Sequence, residues 1–531
     1  VYTATLLHHS KLKTMKKELI IKATLMLVLG TALNIQAQNP GELDTDFGIE
    51  GYVIHEAIPN TSELYNDMIT RSNDKIVMVG YSFVDNQNII IAQFNPDGSA
   101  DITFGNNGIL EIDASIGGND QAWAVKELND GKLLITGITV TAKSWDAFVM
   151  RIEEDGTIDE TFGTTVPGRT NLNAGDLTIS MGTTIEVLTD NSILVGAVAS
   201  FDGQLDMCVF KLTQGGGLDE SFASGGVGQL ELLNSDEELN AMALTANGLI
   251  ILAGSSTSDG EQSGIIAQLS AFGTPTSFAE AGYFSFNLGE NNAIYDVMVD
   301  SNDNIVGAGS SGDDVGADGL VVRLLPDGSL DESFAGDGYQ MSDPGASTTL
   351  KLMNVFETEN GGVLTCGYSS GLIKESYAFL MLANGSPDAG FGGNGDASAD
   401  FAISINSING NCGALQSDGG ILIGGEIVSQ DFVGNTLYMI RLHPTDGMIQ
   451  GVENLEGNQW LVYPNPVQTS FRIESKEQVL GVELYNMKGQ LCGSWLQQNN
   501  YDIPSHLANG SYVIRLLCKG AYKSDSIILY R

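Results

Sequence analysis

At 531 residues the chain is longer than an ordinary single domain, and 65 Gly against 12 Pro with 42% apolar residues suits short strands joined by Gly, Asn and Asp turns. That apolar content excludes a disordered chain. The formal net charge of −42 is uneven, with +4 on residues 1–37, 0 on residues 453–531 and −46 on the body between them, and an acidic body of this size excludes nucleic acid and anionic membrane surfaces as partners.

The first predicted element is an export signal. Met15-Lys16-Lys17 is followed by an apolar stretch from Ala23 to Ile35, and Ile35-Gln36-Ala37 offers small-residue cleavage between Ala37 and Gln38. The stretch is too short to span a bilayer, and no later apolar run reaches the roughly 18 residues that spanning needs. Residues 1–14 read as an over-extension upstream of the natural start. The expected mature chain therefore begins at Gln38 and has no membrane-spanning segment.

From residue 43 onward the chain repeats. An Asp three residues before a Phe recurs at Asp44/Phe47, Asp101/Phe104, Asp159/Phe162, Asp219/Phe222, Asp331/Phe334 and Asp388/Phe391. A weaker copy at Phe278 has Pro275 where the Asp is expected. The steps between the seven Phe residues are 57, 58, 60, 56, 56 and 57. A second landmark, an apolar strand ending in Gly, falls at Gly80, Gly137, Gly196, Gly254, Gly309, Gly367 and Gly425 with the same period. Each repeat of about 57 residues predicts four strands; in the first they are 51–56, 64–71, 75–82 and 88–94, with turns at Asn73-Asp74 and Asn95-Pro96-Asp97-Gly98.

Four-stranded units must stack to bury both faces. An open solenoid would need polar caps, and the array has none, so a closed ring is expected: a seven-bladed β-propeller over residues 38–447. The Phe then packs blade on blade, and the Gly after it takes a backbone conformation closed to other residues. The Asp either caps its turn and pairs with the basic residue of the preceding strand (Arg151, Lys211, Arg323, Arg441) or ligates Ca²⁺ with loop carbonyls. No stretch has the D-x-[DN]-x-[DN]-G ligand spacing, so the structural role is preferred and no cofactor is expected. The phrase Arg323-Leu324-Leu325-Pro326-Asp327-Gly328-Ser329-Leu330-Asp331-Glu332-Ser333-Phe334 resembles the bacterial delta-60 repeat, which implies a propeller-like domain on exported proteins and no defined activity.

A linker, 448–459, leads to a module of different character at 460–531. Tyr463-Pro464-Asn465-Pro466 precedes strands at 471–474, 479–486, 512–517 and 526–529, with turns at 487–490 (including Gly489) and 507–510 (including Gly510). The pattern predicts a small Ig-like β-sandwich. It closely resembles the type A C-terminal sorting domain of the type IX secretion system of Bacteroidetes, which implies that machinery as a partner and a secreted or outer-membrane surface location.

The remaining chemistry is sparse. Cys208, Cys366 and Cys412 read as buried small hydrophobes, whereas Cys492 and Cys518 share the C-terminal module, and whether they pair in an oxidising compartment is left open. His55, His443 and His506 share no pattern. Gly367-Tyr368-Ser369-Ser370-Gly371 matches a nucleophile elbow only formally, because Gly367 is the repeat glycine. The acidic clusters Asp236-Glu237-Glu238 and Asp313-Asp314 read as solvated turns. The expected function is thus a non-catalytic binding or interaction scaffold for a glycan or protein; the alternative is a secreted glycan-degrading enzyme using paired carboxylates.

Overall fold

The computed structural model describes residues 39–444 and 460–529 except 59–60, 84, 142–143, 165, 175–178, 233–234, 290, 314–315, 344, 346–347, 372–374, 400–404, 430–433, 464–469, 476–478, 487–490, 497–500, 505–506, 508–509 and 519–520. The export signal with Ala37 and Gln38, the linker, Pro464, Asn465, Pro466, Gly489 and His506 lie outside the described residues. Two compact units, Val1–Gly451 and Val452–Arg531, account for the chain.

The first unit is all-β: seven four-stranded antiparallel sheets. After a short strand β1 (Tyr52–His55), blade one is β2 (Ser62–Thr70), β3 (Ile76–Phe83), β4 (Gln87–Phe94) and β5 (Ile109–Ile112), paired in that order. The innermost strands of the following blades are Asn119–Glu127, Ser180–Val187, Asp236–Leu244, Asn292–Val299, Thr348–Glu357 and Ile405–Leu415. Each touches the next, and the last returns to β2, so the ring is closed.

Each repeat supplies four strands as expected, but repeat and blade are out of phase by one strand. The strand at 51–56 pairs with Asn435–Leu442 and becomes the outer strand of blade seven, with Tyr52 opposite Ile440 and His55 opposite Leu437. A second clasp lies beside it. Residues 39–43 run against Leu442 and His443, supplying the turn that residues 95–100 supply in blade one.

Seven apolar cores lie between the blades, one per seam, and each holds one motif Phe. Phe47, Phe104, Phe162, Phe222, Phe278, Phe334 and Phe391 are all at most 3% exposed. Each ring covers the turn glycine of the next repeat. A Cβ at Gly156 would stand 3.3 Å from Phe104, one at Gly216 2.7 Å from Phe162 and one at Gly273 2.5 Å from Phe222. The residue after each Phe donates its N–H to that turn, as in Gly105 to Asp155 O at 2.9 Å, and the seventh bond, Gly392 to Pro40 O at 3.2 Å, crosses the closure.

After Phe222 two residues, not one, stand in the left-handed region. Gly226 has φ of 92°, as expected, and donates its N–H to Phe222 O at 2.8 Å. Ala223, directly after the ring, also stands in the left-handed region at φ 43°. The reason is the bond it makes there: Ala223 N–H donates to Phe272 O at 2.9 Å, tying Phe222 to the turn it covers.

The second unit holds two sheets, one of Trp460–Tyr463, Ser470–Ser475 and Tyr501–Asp502, the other of Leu491–Leu496, Val479–Asn486, Gly510–Cys518 and Ala521–Leu529. Phe471, Tyr501, Val482, Leu484, Tyr512 and Ile514 bury one core between them. Tyr463 closes the first strand and Gly510 opens the sixth. The strand registers separate the two cysteines of this unit, whose pairing the sequence leaves open. Cys518 lies opposite Val479, and Cys492 sits beside Leu484 and Tyr485 on the other edge of that strand. Five residues of strand separate them, about 16 Å at 3.3 Å per residue, too far for a disulfide.

Candidate functional site

Antiparallel strands send their connections alternately to the two ends of the ring, and the two ends differ. At one end the turn from inner to second strand is five residues in all seven blades, as at 71–75 and 128–132, and the Asp–Phe motif follows the third strand. At the other end the second-to-third connections range from two residues (202–203) to six (312–317), and the outer-to-inner ones from five to seven.

The uniform face is built around the motif Asp. Its Oδ1 accepts the N–H two residues on, from Thr103 (3.0 Å), Thr161 (3.0 Å), Ser221 (3.1 Å), Ser333 (3.0 Å), Gly390 (2.9 Å) and Asp46 (3.1 Å) in the six copies that have the Asp. In five of these six copies Oδ2 meets a cation: Lys75 on Asp101, Lys132 and Arg151 on Asp159, Lys211 on Asp219, Arg323 on Asp331 and Arg441 on Asp44. Arg151 and Arg323 also lie over Phe162 and Phe334, 4.7 and 4.5 Å from the ring centres. The copy at Phe222 is looser, with Lys211 6.0 Å from the ring centre and 3.3 Å from Asp219, because an ammonium has no planar face to lay on the ring. Although burial opposes it, hydrogen bonding and these cations hold Asp101 and Asp159 well below the usual carboxylate range.

The fifth copy is corrected by its register. Pro275 bridges Leu269 as Ala100 bridges Phe94, and Thr276 N–H donates to Gln268 O as Asp101 N–H donates to Gln93 O. Thr276 therefore takes the place of the Asp, and one residue is missing before Phe278.

The repeat glycines of the second landmark face a β-bulge in the inner strand. A Cβ at Gly80, Gly137, Gly254, Gly309 or Gly367 would stand 1.8–1.9 Å from a carbonyl oxygen of that strand. The bulge places three asparagines across the seams: Asn66 donates to Ala122 O, Asn240 to Ile294 O and Asn411 to Tyr65 O, at 2.8, 2.8 and 3.1 Å. Beside it, Asp67 accepts Val125 N–H and Asp296 accepts Val355 N–H, each from the next blade. These residues escaped the sequence reading, yet Asn66, Asn240 and Asn411 all stand fourteen positions before the repeat glycine. That fixed offset was the available signal.

The acidic clusters divide. Asp313 is exposed in a connection, whereas Asp236–Glu238 open the inner strand of blade four, not a solvated turn, and Glu237 is fully buried. Burial pushes Glu237 up to about 7, and the Ser235 and Ser256 hydroxyls donate to its Oε1 at 2.6 and 3.3 Å. Glu63 and Glu426 are likewise pushed up to about 7 by burial, Glu63 accepting Ile58 N–H and Glu426 accepting the Asn409 amide. Each is thereby occupied in holding a loop or seam. Ser369 is buried within the antiparallel strand Val363–Gly371, so no strand-to-helix elbow exists there.

A pocket of about 300 Å³ opens on the uniform face where blade seven meets blade one, lined by Asp44, Asp74, Asp97, Gln416, Asp418 and Arg441 among others. Arg441 bridges Asp44 and Asp418, and Ser417 Oγ donates to Asp74 at 2.6 Å. Among the described residues no three His, Cys, Asp or Glu side chains group to hold a metal ion, and no helix is long and apolar enough to cross a membrane.

Comparison with known proteins bears on the two units separately. Segments 71–104, 128–162 and 301–334 match the family described as domain of unknown function (DUF5122) beta-propeller, each running from the five-residue turn to the motif Phe. No curated protein matches. Similar solved structures include a protein of unknown function from Dyadobacter fermentans (11% identity over 74% of this chain and 98% of that one, TM-score 0.40). Polysaccharide lyase Uly1 (10% identity, 78% and 95%, TM-score 0.41) and a PL25 ulvan lyase bound to -[GlcA(1-4)Rha3S]- (11%, 78% and 97%, TM-score 0.42) are others. Likenesses this distant carry no argument about activity. Residues 461–530 match the secretion system C-terminal sorting domain, which implies secretion to the cell surface or beyond and contact with the type IX machinery. The chain is a seven-bladed propeller bearing DUF5122 sequences, followed by a secretion-system C-terminal sorting domain.

Proposed function

We propose that the protein is an exported, non-catalytic binding scaffold whose sorting tail delivers the propeller and whose variable face engages a glycan or protein. The contrast between the two faces carries this reading. Inner turns of five residues in every blade and motif carboxylates bound to N–H groups and cations hold the ring, while connections of two to seven residues at the other end are free to differ from blade to blade. The buried carboxyls found above are occupied by loops and seams, which supports a non-catalytic role.

Glycan and protein arrays probed with the exported protein test the reading, and retention of at least one ligand class is expected. Silence across all of them, with and without Ca²⁺, would overturn it. Release of reducing sugar from a polysaccharide panel, abolished by one carboxylate substitution, would replace it with the enzymatic alternative.

A further inference from the structure

Among the described residues of the variable face, large apolar side chains are exposed mainly at one place. Phe83 (47%), Ile116 (91%) and Trp145 (44%) stand there, on blades one and two or the loop joining them, and Trp123 (39%) is exposed midway along the inner strand of blade two; Leu288 stands elsewhere. A net of amides ties their supports together. Phe83 pairs with Gln87 at the β3–β4 hairpin, and Gln87 N–H donates to Asn119 Oδ1 at 3.0 Å. Asn119 stands opposite Val140, which stands opposite Trp145. Trp123 Nε1 donates to Gln121 Oε1 at 3.0 Å, and Gln121 Nε2 donates to Gln87 Oε1 at 2.7 Å. Asn86 Nδ2 donates to Gly118 O at 3.1 Å, fixing the loop that carries Ile116.

We infer that this aromatic and amide strip is a binding site for an uncharged oligosaccharide. The inference rests on the scaffold reading above and names its ligand class. Indole and phenyl faces stack against the C–H faces of sugar rings, and Asn and Gln side chains offer both donors and acceptors to hydroxyls. A purely apolar partner would leave those amides without water or hydrogen bonds, which is costly. For an anionic glycan acid outweighs counter-charge, with Arg169 held against Ala114 O of the same loop. Segments 81–90, 111–123 and 138–147 carry Asp85, Glu111, Asp113, Asp120 and Asp146, and their described residues include no Lys or Arg; Lys143 lies outside the described residues.

The chain has four Trp, and the two in the propeller are Trp123 and Trp145, so intrinsic fluorescence reads this site. The exported protein is titrated with β-1,4-glucan, β-1,3-glucan, xylan and mannan hexasaccharides, with a polygalacturonate oligomer as the charged counterpart. A saturable fluorescence change with a neutral hexasaccharide is expected, weakened at least ten-fold in Trp123→Ala and in Trp145→Ala, with Tm unchanged, and largely retained in Trp123→Phe. Binding whose Kd is the same in both Ala variants overturns the site and leaves the scaffold reading intact. Binding of the polygalacturonate oligomer alone overturns the ligand class. A protein ligand on the array with no saccharide bound overturns the glycan assignment only, whereas silence of every ligand class overturns the scaffold reading as well.

Discussion

The glycine ending each second strand and the residue following each motif Phe show how little freedom single positions have. At Gly137 a Cβ would press on Gln121 O, so Gly137→Ala is expected to cost about 3 kcal/mol, read from the urea midpoint. Ala223, Ala279 and Ala335, which follow Phe222, Phe278 and Phe334, occupy a place where the other four repeats have Gly, and they hold φ of 43°, 48° and 53°. Replacing any of them with Gly should therefore raise stability by roughly 1 kcal/mol, a rare case in which Gly is the stabilising choice. Both sets of positions were visible as repeats in the sequence. Their reasons, a bulge opposite and a left-handed turn, belong to the neighbouring strand and the next blade.

Among elements, the seam is the unit of stability. Each motif Phe fills a core shared by two blades, so Phe162→Ala should cost about 3–5 kcal/mol, as measured by denaturant melts. The closing seam depends on residues far apart in sequence. Deleting residues 39–57 removes β1, the clasp on His443 and the turn over Phe391, leaving blade seven with three strands. Such a truncation is expected to lose the single cooperative transition of the closed ring, which calorimetry would show; an unchanged melt would mean the clasp contributes nothing. Strand number and spacing were legible because turn residues punctuate every repeat. The one-strand offset was not, since pairing across the closure leaves no local pattern. Thr276 illustrates the same limit: counting three residues back from Phe278 reaches Pro275, and only the ladder shows the missing residue.

For the whole molecule, buried carboxyls set the pH dependence. Glu63, Glu237, Glu426 and Asp296 are pushed up to about 7 by burial, above their unfolded values near 4. Between those limits the unfolded chain binds fewer protons, so stability falls as pH rises from about 4.5 to about 7. Asp101 and Asp159, held low, lose their contribution only well below that window, and His55, lowered by burial, opposes the trend as a single group. Tm is accordingly expected to be higher at pH 5.5 than at pH 8, and relief of repulsion within the acidic body acts in the same direction. At the same scale, deleting residues 453–531 should abolish arrival at the cell surface or medium while leaving the propeller's melt unchanged, checked by fractionation and calorimetry.

Sequence alone determined that the chain is all-β, that it repeats seven times, and that it ends in a sorting tail. These are properties written locally, in turn residues, alternation and motif order, and they recur often enough to survive one degenerate copy. The tertiary structure alone decided how the ring shuts, which acids are buried, and which side chains stand together. Buried Glu237 and exposed Asp313 both sit in runs of acids, and Trp123 is tied through Gln121 to Gln87 of the preceding blade, 34 residues before Gln121 in the sequence. Burial and adjacency arise from the packing of one blade on the next, and no single repeat contains that information.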